Sequence, residues 1–186
     1  MRAPVVVFAV GNPSRGDDAI GPLLAERLER ERLAGIEVIV DYQLQVEHAL
    51  DLEDRRLAVF VDAAVNLDAP FQLRPVHARR DDSYSSHALS PAAVLETYAR
   101  ITGHGPPPAW CLAVMGECFD LGRAPSRSGL GNVEAAWPRL RALALACARP
   151  DSRWPLAAPR VHATPGRAET AGDIGSRHAP QGTNDL

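Results

Sequence analysis

The densest group of reactive side chains is Gly11-Asn12-Pro13-Ser14-Arg15-Gly16-Asp17-Asp18-Ala19-Ile20-Gly21. Its Gly11-x-x-x-x-Gly16 outline is that of a phosphate loop, after which a lysine and a hydroxyl residue should follow. Asp17 and Asp18 stand there instead, and two carboxylates repel a triphosphate. No G-x-G-x-x-G arrangement is present to seat a dinucleotide, so the loop argues against nucleotide binding. Carboxylates are favoured at a helix start by the helix dipole. One aspartate can cap the helix, which leaves the other free for chemistry.

Further acids occupy equivalent places. Asp41 ends the run Gly35–Asp41 (GIEVIVD), and Asp62 ends Leu57–Asp62 (LAVFVD). In a parallel sheet the ends of successive strands point to one rim, so Asp18, Asp41 and Asp62 can converge there. A single strand-end aspartate is usually a turn former; three on one rim carry more weight. His87 follows in the polar loop Ser83-Tyr84-Ser85-Ser86-His87 and can reach the same rim. Two carboxylates and an imidazole make a mixed oxygen and nitrogen set suited to a divalent transition metal such as nickel or zinc. No H-E-x-x-H, nucleophile elbow or Cys–His pairing competes with this set; Cys118, in Gly116-Glu117-Cys118, is a thiol after the last strand and more often an incidental one.

The elements that must position these residues are legible as alternating strands and helices. Pro4–Val10 (PVVVFAV) is a continuous β-branched run, the mark of a strand buried on both faces. Ile20, Leu23, Leu24 and Leu28 recur at helical spacing from about Asp17, and Gly35 closes that segment. Gly35–Asp41 is a second strand, Gln45–Asp54 a short helix, and Leu57–Asp62 a third strand. Phe71–Val76 is a fourth strand, which Arg74 and Pro75 place at a sheet edge. Ser90-Pro91 opens a helix through Arg100, with serine as N-cap and proline in the first turn. Trp110–Gly116 is the last strand, and a helix over Asn132–Ala148 closes the domain. This alternation predicts a three-layer α/β/α sandwich with a twisted, mainly parallel five-stranded sheet. The domain spans 1–150. From 151 to 186, Pro, Gly, Arg, His and Thr dominate without periodicity, as in a flexible tail.

Composition removes several function classes. The chain of 186 residues has a net charge of -3 and no basic stripe for nucleic acid. Its basic residues are all arginine, which excludes Schiff-base lysine chemistry and a phosphate-gripping lysine. Three scattered cysteines form neither a zinc pair nor a disulfide framework. No apolar stretch approaches the ~20 residues of a membrane span, and no secretory segment follows Met1. The expectation is a cytoplasmic monomer.

The segment Gly11-Asn12…Asp17-Asp18-x-x-Gly21, followed by Asp62 in VFVDA and by His87 before an apolar helix, resembles the hydrogenase maturation endopeptidases. The similarity spans about Val5 to Ala148. These enzymes process the large subunit of nickel–iron hydrogenases. The resemblance implies that Asp18, Asp62 and His87 face the nickel, with the metal carried mainly by the substrate precursor and no permanent cofactor. It implies removal of a short C-terminal peptide from the nickel-loaded large-subunit precursor. Many members have a D-G-G-T-like stretch after the second strand; here it reads Asp41-Tyr42-Gln43-Leu44-Gln45-Val46-Glu47-His48, similar to the branch serving cytoplasmic, NAD-reducing bidirectional hydrogenases. That loop is expected to select the partner, with Gln45, Glu47 and His48 able to touch the substrate, although for Glu47 and His48 a helix-surface role is the simpler reading. In the expected mechanism Asp18 or Asp41 positions or deprotonates water while nickel polarises the scissile carbonyl. The competing readings are a non-catalytic nickel-sensing chaperone and a nucleotide-binding domain.

Overall fold

The computed structural model describes residues 2–80 and 89–148. The β-branched runs become the centre of a five-stranded sheet: β1 (Val5–Val10), β2 (Ile36–Asp41), β3 (Leu57–Ala64), β4 (Phe71–Val76) and β5 (Ala109–Met115), ordered β2-β1-β3-β5-β4. β1 pairs in parallel with β2 and β3, and β3 in parallel with β5; only β4 is antiparallel, on the edge where Arg74 and Pro75 place it. The fold class is the one expected from the alternation of elements.

Alternate residues of each central strand feed two cores. Val5 and Val7 of β1, with Val59 and Val61 of β3, pack under α1 (Ile20–Glu31) and α3 (Arg127–Ala148) through Leu24, Leu28, Val133 and Leu140. Val6 and Phe8, with Ala58 and Phe60, face α2 (Pro91–Thr102) and the short 3₁₀ segment Val46–Leu52 through Leu52, Val94 and Leu95. Ser90 caps α2 as expected, its Oγ accepting from Ala93 N–H at 3.2 Å. Among the described residues no helix is long and apolar enough to cross a membrane.

Three of the boundaries that differ from those read along the chain bear on the site. β3 continues past Asp62 to Ala64, because Asp62–Ala64 still pair with Ala113–Met115 of β5. The helix placed over Gln45–Asp54 is a tighter 3₁₀ segment limited to Val46–Leu52. α3 starts at Arg127, ahead of Asn132: Ser126 Oγ accepts from Gly129 N–H at 2.9 Å and caps a first turn whose Gly129 and Gly131 read as breakers. His87 and the segment 151–186 lie outside the described residues.

Candidate active site

Strand register carries the acids to one rim. Val10 of β1 pairs with Asp41 of β2, and Ala9 pairs with Val61 of β3, which sets Asp62 level with Val10. Neighbouring strands lie about 5 Å apart, so the Asp41 and Asp62 backbones stand roughly 10 Å apart with β1 between them. Side chains two apart in a strand share a face. Asp41 follows Ile39 and Asp62 follows Phe60, so both acids face the α2 side.

The loop after β1 brings in Asp18. Gly11 adopts φ +139°, and a Cβ there would overlap the Asp18 carbonyl oxygen; only glycine lets the loop fold back this tightly. Asn12 N–H then donates to Asp18 Oδ2 at 3.0 Å. The remaining amides of the loop are also committed: Gly11 to Asp41 O, Ser14 to Asn12 Oδ1, Arg15 to Asn12 O, Gly16 to Arg123 O, Asp17 to Cys118 O and Asp18 to Arg15 O. Phosphate cradles work by aiming free backbone N–H groups at the ligand. Here none from Gly11 to Asp18 is left over, Pro13 having no N–H, and this physically rules against the phosphate-loop outline.

The adjacent aspartates divide their labour, but not through a helix cap and a free partner. Asp17 is fully buried and reaches across to the segment joining β5 to α3. Its carboxylate accepts from Glu117 N–H at 2.8 Å, Cys118 N–H at 3.0 Å, Ser126 N–H at 2.7 Å and Ser126 Oγ at 2.8 Å. Burial alone would raise its pKa, but these four bonds outweigh it and hold the group below its ordinary 3.8. Gly116 and Gly129 leave the space it fills. Asp17 is therefore a structural clasp, and Asp18, half-buried, is the acid left at the rim.

Asp62 is electrostatically perturbed. The residue touches solvent, yet protein around its carboxyl strips hydration and pushes the pKa from 3.8 up to about 6; the Ala63 N–H opposes this rise, and the negative charge of Asp18 adds to it. The structure thus brings Asp18 and Asp62 together as a like-charged pair. Among the described residues no three His, Cys, Asp or Glu side chains form a metal-holding group; the third residue expected here, His87, lies outside them.

Asp41 occupies a separate nook. Its Oδ1 accepts from Tyr42 N–H at 2.6 Å, and its Oδ2 accepts from Gln45 Nε2 at 3.3 Å and lies 3.6 Å from His48 Nε2. Gln45 and Glu47 are exposed. His48 is not on the helix surface expected for it: it is only 7% exposed, its ring packed T-shaped with Phe8. The reason is spacing. His48 is the third residue of the 3₁₀ segment, turned inward so that Nδ1 accepts from Gln45 N–H at 2.9 Å. Sequence reasoning gave Asp17 too small a part; the signal was there only in Gly116, Ser126 and Gly129, which are distant in the chain.

The thiols lie aside from this machinery. Cys111 sits below Asp62 on the same face, and burial, helped by the Asp62 charge and opposed by Arg74, pushes it up to about 11, so it is a thiol at neutral pH. Cys118 is partly exposed and has a carboxylate beside it, Asp120 Oδ2 at 3.8 Å, where an activating imidazole would be needed.

No protein-family model and no curated protein matches the sequence. Solved structures do. A hydrogenase maturating endopeptidase HybD from E. coli superposes with a TM-score of 0.58 at 23% identity, over 77% of this chain and 91% of that one. A [NiFe] hydrogenase maturation protease HycI from Thermococcus kodakarensis gives 0.57 at 24%, over 77% and 93%. An endopeptidase from Escherichia coli gives 0.56 at 25%, over 78% and 92%. With the sheet order, the rim acids and the glycine-bounded loop in place, this chain has the α/β/α fold of the hydrogenase maturation endopeptidases.

Proposed function

We propose that this protein is a peptide hydrolase that removes the C-terminal extension of a nickel-loaded [NiFe] hydrogenase large-subunit precursor. The observation that carries the reading is the Asp18–Asp62 pair. Burial and, to a smaller extent, the charge of Asp18 raise the pKa of Asp62, and the two carboxylates stand together at the rim where α/β folds bind ligands. A divalent cation presented by the precursor would favour ionised Asp62 and relieve its repulsion with Asp18. Oxygen donors with one imidazole suit nickel, and His87 completes the set. The metal belongs to the substrate and serves as a checkpoint, with no resident cofactor in the enzyme.

In this reading the rim acids also serve the hydrolysis. Asp18 or Asp41 accepts the proton of the attacking water, help of the kind typically worth ~10²–10⁴-fold. When present, the cation withdraws electron density from the scissile carbonyl. The precursor is that of a cytoplasmic NAD-reducing hydrogenase, and the exposed Gln45 and Glu47 lie where its selection would occur.

Mass spectrometry of the nickel-loaded precursor before and after incubation tests this directly. The expected product is a shortened large subunit, with His87→Ala leaving the precursor uncut while circular dichroism stays native. An unchanged precursor mass with wild-type protein overturns hydrolysis and leaves escort of the subunit as the activity. Normal cutting by His87→Ala overturns the proposed site.

A further inference from the structure

The knot around Asp41 has no surface rationale. His48 is a buried polar residue, and its ring is held from two sides: it packs T-shaped with Phe8, centroids 5.4 Å apart at 69°, and Nδ1 accepts the Gln45 N–H at 2.9 Å. The Gln45 side chain in turn accepts from the His48 backbone N–H, so the residues cap each other reciprocally. In a neutral imidazole whose Nδ1 is an acceptor, the proton resides on Nε2. That Nε2 lies 3.6 Å from Asp41 Oδ2. The distance is too long for a formed hydrogen bond, but a shift of a few tenths of an ångström closes it.

An ionised carboxylate offers about four lone-pair positions. Tyr42 N–H takes one and Gln45 Nε2 a second, and His48 Nε2 lies 3.6 Å from Oδ2, within a small shift of a third. What remains is one acceptor position on a carboxylate already engaged at both oxygens. We propose that Gln45 and His48 are positioning residues for Asp41: they select the lone pair it offers to water or to the substrate peptide, and His48 itself does not touch the precursor. This rests on the hydrolase reading above. It makes the Asp41-x-x-x-Gln45-x-x-His48 spacing one functional unit in which only the Asp41 carboxylate meets the reacting atoms.

The decisive variant is His48→Asn, whose side-chain oxygen can still accept from Gln45 N–H but offers no Nε2–H to Asp41. The expected result is a fall in kcat of about 10–100-fold with KM unchanged, the usual cost of removing a group that orients an active one. In an Asp41→Asn background the same change should cost nothing further, because the residue it positions has gone. An equal loss in both backgrounds, or a raised KM with kcat intact, overturns the proposal and places His48 in folding or in partner contact. Nitrogen-15 NMR of the wild-type His48 ring is a second, activity-free arm: unprotonated Nδ1 with protonated Nε2 is expected, and the opposite tautomer overturns it. If wild-type protein cuts no precursor, the hydrolase reading falls, while the ring tautomer still tests the knot.

Discussion

Asp62 is a carboxylate in contact with water that nevertheless titrates near pH 6, and the sign of its effect follows from that displacement. Its folded pKa lies above 3.8, so the folded protein holds the proton more tightly than the unfolded chain. Stability from this group is fully present below about pH 4 and is lost as pH rises through about 6. Solvent contact keeps the effect small. Asp62→Asn should flatten this pH dependence in urea denaturation between about pH 4 and pH 6.5, and under the proposed function, in which it removes a nickel-facing carboxylate, should reduce precursor cleavage by roughly 10–100-fold. The placement of Asp62 at a strand's rim end was legible from LAVFVD, since a β-branched run ending in an acid defines both strand and exit. Its raised pKa was not, because it comes chiefly from the protein packed around its carboxyl, with a smaller addition from the charge of Asp18, and both arrive only through the fold.

At the scale of elements, the clasp at Asp17 decides how the loop after β1 meets the start of α3. Three backbone amides and a hydroxyl converge on one buried carboxylate, from segments 100 residues or more away in sequence. Asp17→Ala leaves those amides without an acceptor, with an expected cost of about 3–5 kcal/mol in chemical denaturation at pH 7. Because its folded pKa lies below 3.8, its contribution is full above that value and is lost as pH falls through the folded pKa. The gap between wild type and variant should therefore narrow under strong acid. The neighbouring 3₁₀ segment shows the opposite relation, since its reciprocal Gln45–His48 cap is local and set by a three-residue spacing.

For the molecule as a whole, both cores are closed by elements that end at Ala148: α3 supplies Leu140, Leu143, Ala144 and Cys147 to one, and α2 supplies Val94, Leu95 and Tyr98 to the other. Every core member among the described residues lies at or before Ala148, and the expectation tested by deleting residues 151–186 is that the fold does not need them. The truncated protein should melt within about 4 °C of the full chain, a shift worth no more than ~1–2 kcal/mol at this size, and should cut the precursor at nearly the full rate. A large drop in either, measured by calorimetry and by the mass assay, would assign the tail a part in the fold or in docking.

Hydrophobic patterning by itself determined the sheet, because a buried parallel strand must be apolar on both faces and PVVVFAV, LAVFVD and WCLAVMG can be little else. It also determined that Asp41 and Asp62 share a rim, since parallel strands expose the same ends. The resemblance had already put Asp18 at the site; only the tertiary structure decided what Asp17 does. The two are chemically identical neighbours, and which becomes the clasp depends on amides of the segment joining β5 to α3, about 100 residues along the chain. The fate of His48 was settled in the same way: its spacing from Gln45 is local, but its burial requires Phe8 beneath it and Asp41 beside it.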